Sequence, residues 1–146
     1  MPTVGKVVAA ICFAAAAFYV SLLVQDMYAE ERPFHNIAWI NACLGVIVGW
    51  RVAGSKAGTG WNAAIGYWLT TTTALFVVCL FANSFGEMIR QSMRMQYDGP
   101  IEGIVDIASI MWKYGQEIAT QEVLGSALVG GLIAALATEF FGRRFP

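Results

Sequence analysis

Four uncharged, apolar stretches make up more than half of this chain: residues 7–24, 34–50, 61–85 and 123–138. Nothing else in the sequence constrains the fold as strongly. A hydrocarbon layer of about 30 Å is crossed by about 20 helical residues. Three of the stretches reach that length once long flanking side chains are allowed to snorkel, Lys6, Arg51 and Glu139 among them. The third is long enough alone and is expected to tilt. The expectation is therefore an all-α, single-domain membrane bundle over residues 1–146, with spans at about 5–24, 34–53, 61–85 and 122–142.

Composition supports lipid as the main solvent. The chain is 58% hydrophobic and only 13% charged, whereas soluble domains carry roughly 25% charged residues. Backbone groups in lipid must be satisfied within the chain, which leaves helices or closed barrels. The short alternating segments of a barrel are missing. The net charge of −1 is unevenly placed. Lys6, Arg51, Lys56, Arg143 and Arg144, with Glu139, give one side of the spans +4; the connections on the other side, among them Asp26, Glu30, Glu31, Glu87 and Asp98, sum to −5. The positive-inside rule then puts both termini in the cytoplasm. The apolar run after Lys6 is long for a signal peptide and no A-x-A site follows it, so cleavage is not expected. No basic patch suits nucleic acid, and none is expected as a partner.

The one sizeable connection lies between the third and fourth spans. Asp98-Gly99-Pro100 marks a turn, with Pro100 suited to the first turn of a helix. From residue 100 to 118 the pattern is helical: Glu102, Asp106, Ser109, Lys113, Gln116 and Glu117 share one arc and the rest is apolar or glycine. This predicts an amphipathic helix on the outer face. A fifth span is the competing reading, but it places Asp106 and Lys113 in hydrocarbon at about 3 kcal/mol each. The acidic polar face does not suit anionic lipid, so the helix is expected to pack on the chain's own spans or on a partner.

Within the spans, Gly45-x-x-x-Gly49 in the second and Ala127-x-x-x-Gly131 with Gly130-x-x-x-Ala134 in the fourth are small-residue faces for close helix packing, within the bundle or between copies. Asn41 requires an interhelical partner. Cys12 and Cys43 near mid-membrane, and Met88, Met93 and Met95 near the outer surface, are the candidates for a soft metal or metalloid contact. Small-hydrophobe packing is the simpler role for both sets. Thr70–Thr73 are expected to bond back to their own helix, and Glu139 to pair with Arg143 one turn later near a cytoplasmic helix end. Trp50, Trp61, Tyr28 and Tyr97 read as interfacial anchors. His35 is the single histidine, so neither a multi-histidine metal site nor a hydrolytic triad can be assembled within the chain.

Several segments in order carry a resemblance. Met1-Pro2-Thr3-x-Gly5-Lys6 leads into the first span. Asn41-Ala42-x-Leu44-Gly45-x-x-Val48-Gly49-Trp50, Ala63-Ala64-Ile65-Gly66, Tyr97-Asp98-Gly99-Pro100 and Leu128-Val129-Gly130-Gly131 follow. The set resembles the TrgA family of small bacterial membrane proteins associated with tellurite resistance. The resemblance implies a non-enzymatic, multi-pass protein of the bacterial inner membrane, without cofactor and with no catalytic residues to carry over. The expected partners are the bilayer and either a second copy or a larger membrane complex. A structural accessory subunit of such a complex, a respiratory one included, is the alternative function; a small-solute transporter or channel built as an oligomer is a further one.

Overall fold

The computed structural model describes residues 3–27, 36–94 and 99–144, and among them every regular element is helical. The helices are α1 (Val4–Met27), α2 (Ile37–Val48, continued by a π-helical turn Gly49–Ala53), α3 (Trp61–Met93), α4 (Pro100–Ile118) and α5 (Gln121–Arg144). At 1.5 Å per residue α1 and α5 are about 36 Å long and α3 is about 50 Å. These three are long and apolar enough to cross a membrane; the helical stretch Ile37–Ala53 is shorter. Within the second expected span, 34–53, the chain is helical from Ile37 to Ala53, and residues 34 and 35 lie outside the described residues.

Two further elements can be set beside the expectations. The helix that carries the expected third span does not stop at residue 85: α3 runs on without a break to Met93. The charges that begin at Glu87 end the apolar run but not the helix. Glu87 and Arg90 form an i,i+3 ion pair at 3.2 Å, and a Cβ at Gly86 would meet nothing within 4 Å. Helix α4 spans the expected residues, with Gly99 extended at its N-cap and Pro100 opening the first turn. As expected, it packs on one of the chain's own helices. Its buried residues Gly103, Ile107, Ile110 and Tyr114 form one stripe along its length, and α4 packs on α3. The chain reverses between them, and Gly115 approaches Leu80, so the two run antiparallel.

Helix α1 packs on both α2 and α5, and α3 closes the ring between α5 and α2. The small residues explain how closely α1 and α2 meet. A Cβ on Gly45 would lie 2.8 Å from the Phe13 carbonyl oxygen and from Ala14 Cα; one on Gly49 would lie 2.6 Å from the Ala9 carbonyl oxygen. Both seams are backbone against backbone, which a larger side chain would pry apart. The π turn closes with Gly54 N–H donating to the Gly49 carbonyl at 2.8 Å, and it seats Gly54 against Lys6. In α5, Gly130 faces Ala16 of α1 while Gly131 faces Thr72 of α3. Adjacent glycines therefore wedge α5 between two helices. Ala134 is buried beside them and Ala127 half-buried. The core contains Ala9, Phe13, Tyr67 and Ala135, all nearly inaccessible.

This packing separates two glycines that look alike in sequence. Gly45→Ala is expected to destabilise the protein by about 1 to 3 kcal/mol, through overpacking against the α1 backbone. Gly66→Ala, where a Cβ meets nothing within 4 Å, is expected to be neutral or stabilising by up to about 1 kcal/mol from helix propensity. Unfolding of the two variants by denaturing detergent titration reads the difference.

Candidate functional site

Two polar assemblies interrupt the apolar interior, one at each end of the bundle. The basal end carries the N-terminus of α1 and the C-terminus of α5, brought together where Gly5 packs on Gly142 and Ala57. Here Glu139, one turn from the end of α5, is wholly buried. Its Oε2 accepts the Gly58 N–H at 2.9 Å and its Oε1 the Gly60 N–H at 2.6 Å. The Tyr67 hydroxyl lies 3.2 Å from Glu139 Oε2 and 3.2 Å from the Ala135 carbonyl oxygen, sharing one proton between them. The loop can present two N–H groups to one carboxylate because Gly58 and Gly60 adopt φ values of +86° and +123°. Side-chain-bearing residues rarely enter that region. Gly60 is also the N-cap of α3, so the carboxylate sits at a helix N-terminus, where backbone dipoles favour negative charge.

This corrects the expected surface pair with Arg143. The Glu139 oxygens are engaged by the 58–60 loop and by α3, and Arg143 is exposed. The carboxylate clasps three segments, α5, the loop before α3 and α3 itself.

The distal end holds a second assembly. Asn41 of α2 is buried. Its amide donates to Ser21 Oγ of α1 at 2.8 Å, and its carbonyl accepts from the Asn83 amide of α3 at 3.2 Å. Ser21 in turn donates to the Ala17 carbonyl at 2.7 Å. The interhelical partner expected for Asn41 is thus a chain linking three helices. Ser21, Asn41 and Asn83 also line a cavity of about 120 Å³ between the helices. Its wall is mostly apolar, with Phe13, Leu75 and Phe76 among the lining residues, and Thr72 and Gly131 line it on the α3–α5 side.

The threonine run behaves unevenly. Thr70 donates to the Gly66 carbonyl at 3.1 Å as expected. The hydroxyl oxygens of buried Thr71 and Thr72 have no hydrogen-bond partner among the described residues. In α5, Thr138 makes the back-bond to Ala134 at 2.7 Å, and Trp68 crosses to α5 by donating to the Leu128 carbonyl at 3.0 Å.

The soft-ligand candidates are not drawn together. Cys43 is exposed on the outside of α2, while Cys12 is half-buried against the core. Met88 is half-buried and Met93 exposed; five residues apart on one helix, they diverge by about 140°. Met95 and Asp98, with Tyr28, His35 and Tyr97, lie outside the described residues. Among the described residues no three His, Cys, Asp or Glu side chains form a group able to hold a metal ion. Trp50 and Trp61 are exposed at the basal end of the bundle, as anchors at a membrane boundary would be. The Glu139 clasp was missed in the sequence. The signals that point to it are an acid enclosed by Thr138, Phe140 and Phe141, and the pair Gly58-x-Gly60 far upstream.

No protein-family model matches the chain, and neither does any curated protein or solved structure.

The clasp predicts a graded series. Glu139→Ala leaves two buried N–H groups without an acceptor and is expected to cost about 3 kcal/mol; Tyr67→Phe removes one shared donor and is expected to cost about 1 kcal/mol. Arg143→Ala is expected to stay within about 0.5 kcal/mol of the parent. Thermal unfolding in mild detergent measures all three. Equal loss for Arg143→Ala and Glu139→Ala would contradict the clasp.

Proposed function

We propose that this chain is a non-enzymatic protein of the bacterial inner membrane that supports resistance to tellurium oxyanions. In this reading it crosses the bilayer four times, through α1, α2 with its π turn, α3 and α5, with both termini in the cytoplasm. The observation that carries the membrane part is the distribution of apolar surface. Ile11, Trp39, Ile47, Ile65, Leu69, Val129 and Ile133 are all exposed around α1, α2, α3 and α5, while the interior polar groups bond across helices. A soluble bundle reverses that arrangement; lipid accommodates it. Helix α2 is about 25 Å long with its π turn, short for a full crossing. Local thinning or snorkelling by Arg51 at its end accommodates a mismatch of a few Å. Basic residues Lys6, Lys56, Arg143 and Arg144 gather at the basal end, which favours that end as the cytoplasmic one.

The link to tellurium rests on the resemblance to the TrgA family, carried by the ordered motifs from Met1-Pro2-Thr3 to Gly130-Gly131. The protein would act by limiting uptake, by assisting export through others, or by protecting redox components of the envelope. A channel through one copy is disfavoured by the fully buried Phe13 and Tyr67 in the core.

A second reading, an accessory subunit of a larger membrane complex, is favoured by α4. Opposite the stripe that packs on α3, this helix exposes Ile101, Ile104, Val105 and Trp112, with Ile101 at 77% and Trp112 at 70% exposure. Such a row of large apolar side chains beyond the spans marks a docking face.

Deleting the gene is expected to lower the tellurite concentration that stops growth, with restoration by the intact gene. Unchanged sensitivity would remove the resistance assignment. For the accessory reading, the double variant Ile104→Ser, Trp112→Ser is expected to shift the protein from a large species to a small one on a native gel after mild extraction. A parent that already runs as the small species would contradict it.

A further inference from the structure

We propose that the basal face of the bundle is a binding surface for anionic phospholipid, with the lipid phosphate held by Lys6, Lys56 and Arg143. Residues 1–25, 42–86 and 123–146 contain five cationic side chains, Lys6, Arg51, Lys56, Arg143 and Arg144, and one acidic side chain, Glu139. That acid is wholly buried, and its oxygens accept the Gly58 and Gly60 N–H groups. The clasp therefore withdraws the only acidic side chain of these segments from the surface. Arg51, Lys56, Arg143 and Arg144 are exposed, and none of the four forms an ion pair among the described residues.

Packing brings three of these cations to one junction. A Cβ on Gly5 would lie 2.8 Å from Ala57 Cβ and 3.2 Å from Gly142 Cα, and one on Gly142 would lie 3.1 Å from Ala57 Cβ. The start of α1, the loop before α3 and the end of α5 thus meet at Gly5, Ala57 and Gly142. A cation stands next to each in the chain: Lys6 after Gly5, Lys56 before Ala57 and Arg143 after Gly142. Gly54, three residues beyond Arg51, packs on Lys6 and extends the patch to the π turn. Like charges gathered in this way repel one another, and a shared anion relieves the repulsion. Depth selects the anion. Trp50 and Trp61 are exposed at the same end, which sets the patch at the level where indole rings meet headgroups. The anion held at that depth is a phospholipid phosphate, and basic clusters just outside a span recognise it by charge. The inference rests on the membrane reading above and is independent of the link to tellurium.

The test places the full-length protein in nanodiscs of equal parts phosphatidylglycerol and phosphatidylcholine. Native mass spectrometry then counts the lipids that stay bound on release. The parent is expected to retain phosphatidylglycerol over phosphatidylcholine by more than about ten-fold. Lys56→Gln and Arg143→Gln are each expected to lower that ratio about five-fold, the scale of one basic side chain at an anionic surface. Lys113→Gln, in α4 at the other end of the bundle, is expected to leave it unchanged. Inorganic phosphate is expected to lower the ratio no more than sodium chloride of the same ionic strength. Equal loss with Lys113→Gln and Lys56→Gln would overturn the assignment to the basal face. Displacement by inorganic phosphate beyond the chloride control would overturn lipid as the occupant. A parent that enters the nanodiscs but retains both lipids equally would overturn the site alone, whereas a parent that stays outside them would overturn the membrane reading as well.

Discussion

The carboxylate of Glu139 holds this bundle closed. Two helices joined in sequence need no clasp, but α1 and α5 come from opposite ends of the chain and pack along their length as far as the basal end. There a single side chain gathers the 58–60 loop, the first turns of α3 and the last turns of α5. The energetic logic is that of a low-dielectric interior. A buried charge is costly unless its oxygens are occupied, and each N–H it accepts is itself a group that would otherwise be orphaned at a helix N-terminus. Both problems are solved by the same bonds. The glycines follow from that requirement, since only residues tolerant of positive φ let Gly58 and Gly60 present their N–H groups together.

Away from the clasp, cohesion depends on surface shape rather than on hydrophobic drive. Helices in lipid gain little by hiding apolar side chains from one another. They gain by close backbone approach and by interhelical hydrogen bonds. The α1–α2 seam is made by Gly45 and Gly49, the α5 wedge by Gly130 and Gly131, and the distal polar layer by Ser21, Asn41 and Asn83. The polar layer and the clasp lie near opposite ends, and the tight glycine seams lie between them. The cavity lies beside the distal polar layer, with Gly131 of the α5 wedge in its wall. Packing defects and unpartnered hydroxyls coincide there, at Thr72.

Much of this was legible in the sequence because it is local. Runs without charge gave the helices, Pro100 and the polar arc gave α4 its limits, and the GxxxG pattern located the α1–α2 seam, although not its partner. The errors have a common cause. Glu139 was read with Arg143 because they are four residues apart, whereas its true partners lie about eighty residues upstream and are backbone groups, which leave no trace in side-chain pattern. The expected third span stops at the first charges, but a charge ends residence in lipid and not helicity, so α3 continues to Met93. The four threonines looked equivalent because propensity is local, yet their hydroxyls face different neighbours once α5 is in place. Exposure is equally invisible in the pattern: Cys43 and Met93, two of the residues considered for a soft-metal contact, are exposed.

The architecture turns on which helices have lipid as their solvent. Amide hydrogen–deuterium exchange of the intact protein in lipid nanodiscs tests this directly. Four crossings require the amides of Ile37–Ala53 to be as protected as those of α1, α5 and the first two-thirds of α3, with measurable exchange along α4. Protection of α4 equal to that of α1, or free exchange through Ile37–Ala53, would contradict it.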